Sequence, residues 1–350
     1  MIEYSVYFFA LCIISALSYW FLLRHPKIDV LKKKNETGER FASQSKPIIG
    51  GSIFFICIIL AFIYTSFSSR FGADLPDYTI LICVVIAFGM GCIDDLKNFS
   101  PLFKLIFQII CAGIFIYTNN YIQTSDNIFL NSGLTILWVV GIMNSINMLD
   151  NMDGITASVS TIIFATIACL AEGWDVHILL AIVAGLVAFL IWNWHPSKMY
   201  MGDNGSQLLG LLLAYFSIKY VWNSGQSIIG INYEQLLFIG LMFIIPLTDT
   251  ITVAINRFLG GRSPFVGDKY HTTHCLVYKG LSIPTTVTLM SAINAIGCIL
   301  SWYFIYCKHA TLSMCEAILL FVFIFVVFIS AYILNLIIRK ENNLLYKKSK

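Results

Sequence analysis

Long apolar segments recur along the whole chain, and they constrain the fold more than any other feature of the sequence. A transmembrane helix needs about 17–25 mostly apolar residues, and about eleven segments reach that scale. Each is predicted to be an α-helix, because a chain in lipid must satisfy its backbone hydrogen bonds internally. The sequence thus predicts an all-α, polytopic integral membrane protein, a single domain over residues 1–350, with spans at about 4–23, 48–66, 78–93, 101–119, 132–149, 157–172, 177–194, 206–222, 235–256, 284–306 and 312–338.

The composition excludes a water-facing globule. Hydrophobic residues make up 58% of the 350 residues and charged residues only 12%, whereas soluble domains carry about 25% charged residues. The lipid bilayer is therefore an expected partner, and a net charge of +3 gives no reason to expect nucleic acid. The ten cysteines are scattered without a framework, so they are interpreted as small buried hydrophobes.

Positive charges are divided unequally between the two sets of loops. With the predicted spans, 19 of the 22 lysines and arginines fall on one side, and only Arg70, Lys219 and Lys308 fall on the other. Loops rich in lysine and arginine stay in the cytoplasm. The N-terminus is therefore predicted outside and the C-terminus in the cytoplasm, in a multi-pass protein of the plasma (inner) membrane.

Acidic residues gather near the predicted cytoplasmic helix ends. Asp94 and Asp95 close the third helix, Asp150 and Asp153 follow the fifth, and Asp203 precedes the eighth. Neighbouring carboxylates repel each other unless a cation or a shared proton intervenes. Magnesium prefers oxygen ligands and binds through one or two carboxylates plus substrate phosphates. We expect a Mg²⁺ site that faces the cytoplasm, with Mn²⁺ as the alternative ion.

Each acidic motif also has a purely structural interpretation. The aspartate pair can be a solvated helix end, and the segment 201–206 can be a glycine-rich turn that caps the next helix. Asn144 and Asn147, at helical spacing from Asp150 and Asp153, can form a polar seam between helices. The occurrence of all these motifs on one predicted face favours a functional site.

The last long cytoplasmic loop adds cations and imidazoles, among them Arg262, His271 and His274. Phosphate binding is the favoured use for these groups, since arginine recognises phosphate through paired hydrogen bonds. A zinc site and a basic loop that contacts anionic lipid are the alternatives.

The motifs together resemble the polyprenyl-phosphate N-acetylhexosamine-1-phosphate transferase family. Segment 144–154 matches the pattern NxxNxxDGxDG, 201–206 matches MGDxGS, and 262–274 resembles the RSPF and DRxHxHH segment of the WecA/TagO-like branch. The other matching residues, in the family's order, are Lys46-Pro47, Asp94-Asp95, Lys104 and Gln108. Two departures from the pattern matter: Asn151 replaces a glycine, and Thr273 replaces the middle histidine.

The resemblance implies an enzyme of this family. Such an enzyme moves N-acetylhexosamine 1-phosphate, with GlcNAc as first choice, from a UDP-sugar to undecaprenyl (polyprenyl) phosphate, releases UMP and so initiates a cell-envelope polysaccharide. The resemblance assigns metal ligation to Asp203 and Asn147, catalysis to Asp94, Asp95, Asp150 and Asp153, and substrate binding to Lys46, Lys104, Asn144, Asn147, Arg262, His271 and His274. The expected active-site loops are about 24–47, 94–100, 144–156, 195–206 and 257–283.

Other functions stay open at this point. A phospho-MurNAc-pentapeptide transferase would share most of the motifs. A transporter would also need carboxylates inside the membrane, although transporters need access from both faces and often carry internal repeats. A membrane scaffold without chemistry and a homodimer are also compatible with the sequence, as are a one-step or a covalent mechanism.

Overall fold

The computed structural model describes residues 2–24, 46–68, 78–97, 99–224, 233–259, 261 and 270–348. Within these ranges the structure contains thirteen α-helices, and π-helical turns extend α8 and α12. The helices are α1 (Ile2–Arg24), α2 (Gly50–Ser68), α3 (Tyr78–Lys97), α4 (Pro101–Tyr117), α5 (Ile128–Leu149), α6 (Ile155–Ala168), α7 (Trp174–Asn193), α8 (Gly202–Ser217), α9 (Tyr233–Met242), α10 (Ile244–Leu259), α11 (Thr272–Tyr278), α12 (Ile283–Trp302) and α13 (Met314–Lys348).

The prediction of an all-helical, polytopic membrane protein is confirmed. In the described part of the chain, seven helices are long and apolar enough to cross a membrane, or eight if α9 and α10 form one span. These two helices are bent by 90° at the break between them. The other predicted spans correspond to α4 and α6, which are shorter apolar helices of 17 and 14 residues, and to α8. The count of eleven spans and the orientation therefore stay predictions.

Helix α8 lies at the centre of the bundle and packs against α2, α3 and α5. All of its residues are buried except Asp203 in the first turn. Its polar residues Ser206 and Gln207 have partners on α5 and α4, as expected for a membrane helix whose polar groups face the interior of the bundle. By contrast, α1 and α13 expose many large apolar side chains, as expected for helices at a lipid boundary.

Helix α3 approaches α8 closely at Gly91. A Cβ atom on Gly91 would lie 2.4 Å from the Cα atom of Asn204 and 2.6 Å from the carbonyl oxygen of Asp203. Small residues let helix backbones approach in membranes, where packing rather than the hydrophobic effect drives association. The absence of a side chain at Gly91 therefore lets the start of α8 lie directly against α3.

One turn further along α3, Asp95 caps the N-terminus of α8. Its carboxylate accepts hydrogen bonds of 3.0 Å from the backbone N–H groups of Asp203 and Asn204, and one of 2.8 Å from the Asn204 amide. The first N–H groups of a helix have no intrahelical partner, and they favour a negative charge. Asp95 thus fixes the start of α8 from a neighbouring helix.

We predict that Gly91→Ala destabilises the protein and that Gly89→Ala does not. The added methyl group at position 91 would collide with backbone atoms of α8, and overpacking of this kind costs about 1–3 kcal/mol. A Cβ at Gly89 would meet nothing within 4 Å. Thermal unfolding in detergent measures both variants, and equal melting temperatures for the two would contradict the close approach.

We further predict that Asp95→Ala lowers the free energy of unfolding by about 1–3 kcal/mol, because two backbone donors at the start of α8 lose their acceptor. Asp95→Asn should lose less, since one side-chain oxygen remains. Asp126→Ala, at an exposed aspartate, is the control. A melting temperature for Asp95→Ala equal to that of the control would rule out the capping role.

Candidate active site

One lysine stands between two carboxylates where three helices end or begin. The Lys104 ammonium, near the start of α4, lies 2.5 Å from the Asp94 carboxylate in the last turn of α3. It lies 2.7 Å from the Asp203 carboxylate in the first turn of α8. The Asp94 side chain is buried, whereas those of Lys104 and Asp203 are about one-fifth exposed, at 20% and 22%. Two negative charges therefore share one cation at a partly exposed site.

Asn147, in the last turn of α5, completes this cluster. Its side-chain amide donates one hydrogen bond of 3.0 Å to Asp203 and another of 2.9 Å to the Ser206 hydroxyl. The amide therefore holds one oxygen of Asp203 while Lys104 holds the other. This contact joins the residues that the sequence assigns to metal ligation, Asp203 and Asn147.

Asn144, one turn earlier on α5, belongs to an amide network inside the bundle. It exchanges hydrogen bonds with Gln108 of α4, and Gln108 also donates a bond of 3.0 Å to Gln207 of α8. Both glutamines are fully buried. The structural interpretation of a polar seam thus describes Asn144 well, and its side chain holds α4, α5 and α8 together beneath the charged cluster.

A second cluster forms around Asp153, in the turn between α5 and α6. The Asp153 carboxylate accepts hydrogen bonds from the hydroxyl and backbone N–H of Ser197, at 2.7 and 3.1 Å, and lies 3.0 Å from a ring nitrogen of His195. The buried Lys46 ammonium lies 4.0 Å from it and donates a 2.9 Å bond to Ser197. Burial raises the pKa of Asp153, but the bonds from Ser197 and His195, together with the Lys46 charge, lower it more, so the pKa is below its usual value.

A third cluster anchors the short helix α11. The ring of His271 lies 2.7 Å from the buried carboxylate of Asp249 on α10, which also accepts a 2.7 Å hydrogen bond from the Thr272 N–H. A ring nitrogen of His274 lies 3.3 Å from the backbone carbonyl of Asn151. A carboxylate partner fixes the orientation of an imidazole. Both predicted histidines are therefore held in place by contacts to other helices or turns.

The segment 197–204 links the first two clusters. Ser197 contacts Asp153, the Tyr200 N–H donates a 3.0 Å bond to the carbonyl of Pro47, and the backbone N–H of Asp203 donates to Asp95.

The remaining predicted site residues lie as follows. Asp150 is half-buried at the C-terminal end of α5. Arg262 lies outside the described residues. Asp94, Asp95, Asn144 and Asn147 are in helices rather than in the predicted loops.

His195 and Ser197 were missed by the sequence reasoning, although they hold Asp153. The signal was present, because Trp-His-Pro-Ser follows α7 on the same predicted face as the acidic motifs. The pairing of Asp249 with His271 could not be predicted from the sequence either. Such pairings depend on how the helices cross, which adjacency in the chain does not reveal.

The chemistry of the charged cluster is compatible with magnesium. Among the residues that the structure describes, no three acidic, histidine or cysteine side chains converge as a metal cage. Mg²⁺, however, usually binds proteins through one or two carboxylates and takes its remaining ligands from water and substrate phosphates. Asp94 and Asp203, both within 2.7 Å of one ammonium, supply such a pair. The ion would supply positive charge beside a bound pyrophosphate.

Comparison with known proteins matches the region that builds this site. The model of the glycosyl transferase family 4 matches residues 78–221, which begin with α3 and end in the π-helical turn after α8. Asp94, Lys104, Asn147 and Asp203 all lie within the match.

Three relatives show the extent of the similarity. A probable undecaprenyl-phosphate N-acetylglucosaminyl 1-phosphate transferase of Bacillus subtilis is 30% identical over 81% of this chain and 78% of its own length. A phospho-N-acetylmuramoyl-pentapeptide-transferase of Levilactobacillus brevis is 30% identical over 76% of this chain and 86% of its own length. A decaprenyl-phosphate N-acetylglucosaminephosphotransferase of Mycobacterium tuberculosis is 28% identical over 74% of this chain and 72% of its own length. The chain therefore belongs to the glycosyl transferase family 4, the family of the polyprenyl-phosphate sugar-1-phosphate transferases.

Proposed function

We propose that this chain transfers N-acetylhexosamine 1-phosphate, with GlcNAc as the first choice, from a UDP-sugar to undecaprenyl or another polyprenyl phosphate. The products are a polyprenyl-diphospho-sugar and UMP, and the reaction would initiate a cell-envelope polysaccharide. The observation that carries the proposal is the Lys104 ammonium between Asp94 and Asp203, at a partly exposed site where α3, α4 and α8 meet. The names of the Bacillus and Mycobacterium relatives support the choice of sugar.

Charge neutralisation is the central requirement of this reaction, because both substrates are anions. An oxygen of the lipid phosphate attacks the phosphorus that is bonded to the sugar. The bond from that phosphorus to the bridging oxygen breaks, and UMP leaves with the electron pair. Catalysis of phosphoryl transfer depends mainly on positioning and on electrostatic stabilisation. Magnesium, held by Asp203 with Asn147 beside it, would supply positive charge at the pyrophosphate.

The protein's own residues divide the remaining tasks in this proposal. Asp94 orients Lys104 and acts as activator of the lipid phosphate, and Lys104 offers its charge to the incoming phosphate. Lys46, with Asp153 and His195 beside it, lies at the second cluster. His271 and His274 contact the sugar or phosphate. Asp95 acts on this site through the start of α8 rather than by direct contact with the substrate.

The proposed geometry matches the physical state of the two substrates. A polyprenyl tail stays in lipid while its phosphate lies at the membrane surface, and the UDP-sugar arrives from the aqueous side. The charge asymmetry of the loops favours the cytoplasm for that side. In this proposal the active site lies at the inner leaflet of the plasma membrane.

A second candidate function is phospho-MurNAc-pentapeptide transfer. The Levilactobacillus relative with this name is as similar in identity as the Bacillus relative and covers more of its own length. The two candidates share the attack on the sugar-bound phosphorus and differ in the donor. Incubation of the purified protein with UDP-GlcNAc or UDP-MurNAc-pentapeptide, each with undecaprenyl phosphate, separates them.

We predict that Asp203→Ala and Asp94→Asn each lower the rate of UMP release about 100-fold or more, because charge stabilisation at the reacting phosphates is lost. The assay measures UMP formed from UDP-GlcNAc and undecaprenyl phosphate by detergent-purified protein. Asp126→Ala, at an exposed aspartate outside the clusters, should retain wild-type turnover. Wild-type turnover by Asp203→Ala would remove the assigned metal site.

We also predict that Lys104→Met makes stability depend on divalent ions. Without the ammonium, Asp94 and Asp203 face each other unneutralised, so the melting temperature should fall in chelator and recover in Mg²⁺ or Mn²⁺. Lys219→Met is the matched control, since Lys219 pairs with a single carboxylate, Asp175, at 2.6 Å. If Mg²⁺ shifts the two variants equally, the carboxylate pair does not form a cation site.

A further inference from the structure

Asn151 and Thr273, two residues at which the sequence departs from the family pattern, contact each other. The Thr273 hydroxyl donates a 2.7 Å hydrogen bond to the side-chain oxygen of Asn151, across 122 residues of chain. Thr273 is fully buried and Asn151 is 7% exposed. Each polar group thus has its partner within the protein, as burial requires.

Asn151 makes two further contacts, one to the end of α5 and one to α11. Its side-chain amide donates a 3.0 Å bond to the carbonyl of Met148 at the end of α5, and its own backbone carbonyl lies 3.3 Å from a ring nitrogen of His274. Two successive residues of α11, Thr273 and His274, therefore both contact a single residue of the turn after α5. Asn151 joins that turn to α11.

The joined elements are those that carry the proposed substrate-binding groups. Asn151 lies between Asp150 and Asp153 in the turn, while α11 begins beside His271. His271 is held from the other side by Asp249 of α10. The Asn151–Thr273 contact consequently sets the position of both imidazoles relative to the acidic turn.

In the family pattern the larger of the two side chains is at position 273, whereas in this chain it is at position 151. There, position 151 is a glycine and position 273 a histidine, whereas here an amide occupies 151 and the smaller threonine occupies 273. A histidine at 273 would need the volume that the Asn151 side chain fills, because these side chains are already in hydrogen-bond contact. Because protein interiors are close-packed, we expect a histidine at 273 to fit best with a smaller residue at 151.

We propose that Asn151 and Thr273 form a coupled pair of positioning residues that sets the two histidines for recognition of the UDP-sugar donor. This inference rests on the proposed function. It extends that function, because the pair acts through the placement of His271 and His274 and leaves the charged cluster at Lys104 unchanged. The pair therefore affects donor binding and donor preference more than the chemical step.

The test is a double-mutant cycle of Asn151→Gly, Thr273→His and the double variant. Each single variant should raise the KM for UDP-GlcNAc about tenfold, a change of about 1.4 kcal/mol, while kcat stays within about twofold. The double variant should return to within about threefold of the wild-type KM. The ratio of kcat/KM for UDP-GlcNAc to that for UDP-GalNAc should likewise change in each single variant and return towards the wild-type ratio in the double variant. Additive changes in KM would overturn the coupling.

Two further variants separate positioning from stability. Thr273→Val removes the hydroxyl and should raise the KM, whereas Thr273→Ser should retain wild-type KM. Thr135→Val is the matched control, since Thr135 is also fully buried and hydrogen-bonded, accepting a 3.0 Å bond from the Ile122 N–H. It should lower the melting temperature without a change in KM. If Thr273→Val behaves like Thr135→Val, the pair is structural only and the proposal fails.

The cycle also distinguishes failure of this inference from failure of the proposed function. If wild-type protein releases no UMP with any donor, the proposed function fails, and donor recognition by the pair fails with it. The physical coupling is then still measured by thermal unfolding of the same four proteins. Non-additive melting temperatures would support the coupled pair, and additive ones would overturn it.

Discussion

The contact between α3 and the start of α8 is the constraint on which the rest of the site depends. Gly91 has no side chain, so the two helices can approach until their backbones nearly touch. Asp95 then caps the N–H groups of Asp203 and Asn204. With the start of α8 held in this position, the Asp203 carboxylate lies next to the Lys104 ammonium, which also contacts Asp94. The structural role of Asp95 and the chemical role assigned to Asp94 thus come from adjacent residues of one helix.

The charged cluster combines two carboxylates with one ammonium, which leaves it with one negative charge in excess. Lys104 pairs with both carboxylates but offsets only one of their two negative charges, and Asn147 occupies the other oxygen of Asp203. A site built only from carboxylates would repel anionic substrates, and one built only from lysines would leave no ligand for a divalent ion. The combination found here is compatible with the proposed binding of both an ion and phosphates, because each brings the charge that the other lacks.

The sequence could predict the long apolar helices but neither the short helix α11 nor the way in which the helices cross. Apolar length is a local property, and a helix lies in each of the eleven predicted spans. The 90° bend between α9 and α10 and the central position of α8 arise from packing. For the site, the positions of the motifs at predicted helix ends placed Asp94, Asn147 and Asp203 on one predicted face of the membrane. The sequence could not show that Asp95 points to the α8 backbone, because successive residues of a helix project about 100° apart.

The proposed function depends most on Asp203, which, with Asn147 beside it, would hold a divalent ion at the donor pyrophosphate. The most direct measurement of this role is a crystal structure of the protein soaked with Mn²⁺ and UDP, read by anomalous scattering. The account predicts one strong peak next to the Asp203 carboxylate, with the Lys104 ammonium moved away from its place between the two aspartates. A Mn²⁺ peak bound elsewhere, with Lys104 still between Asp94 and Asp203, would contradict it.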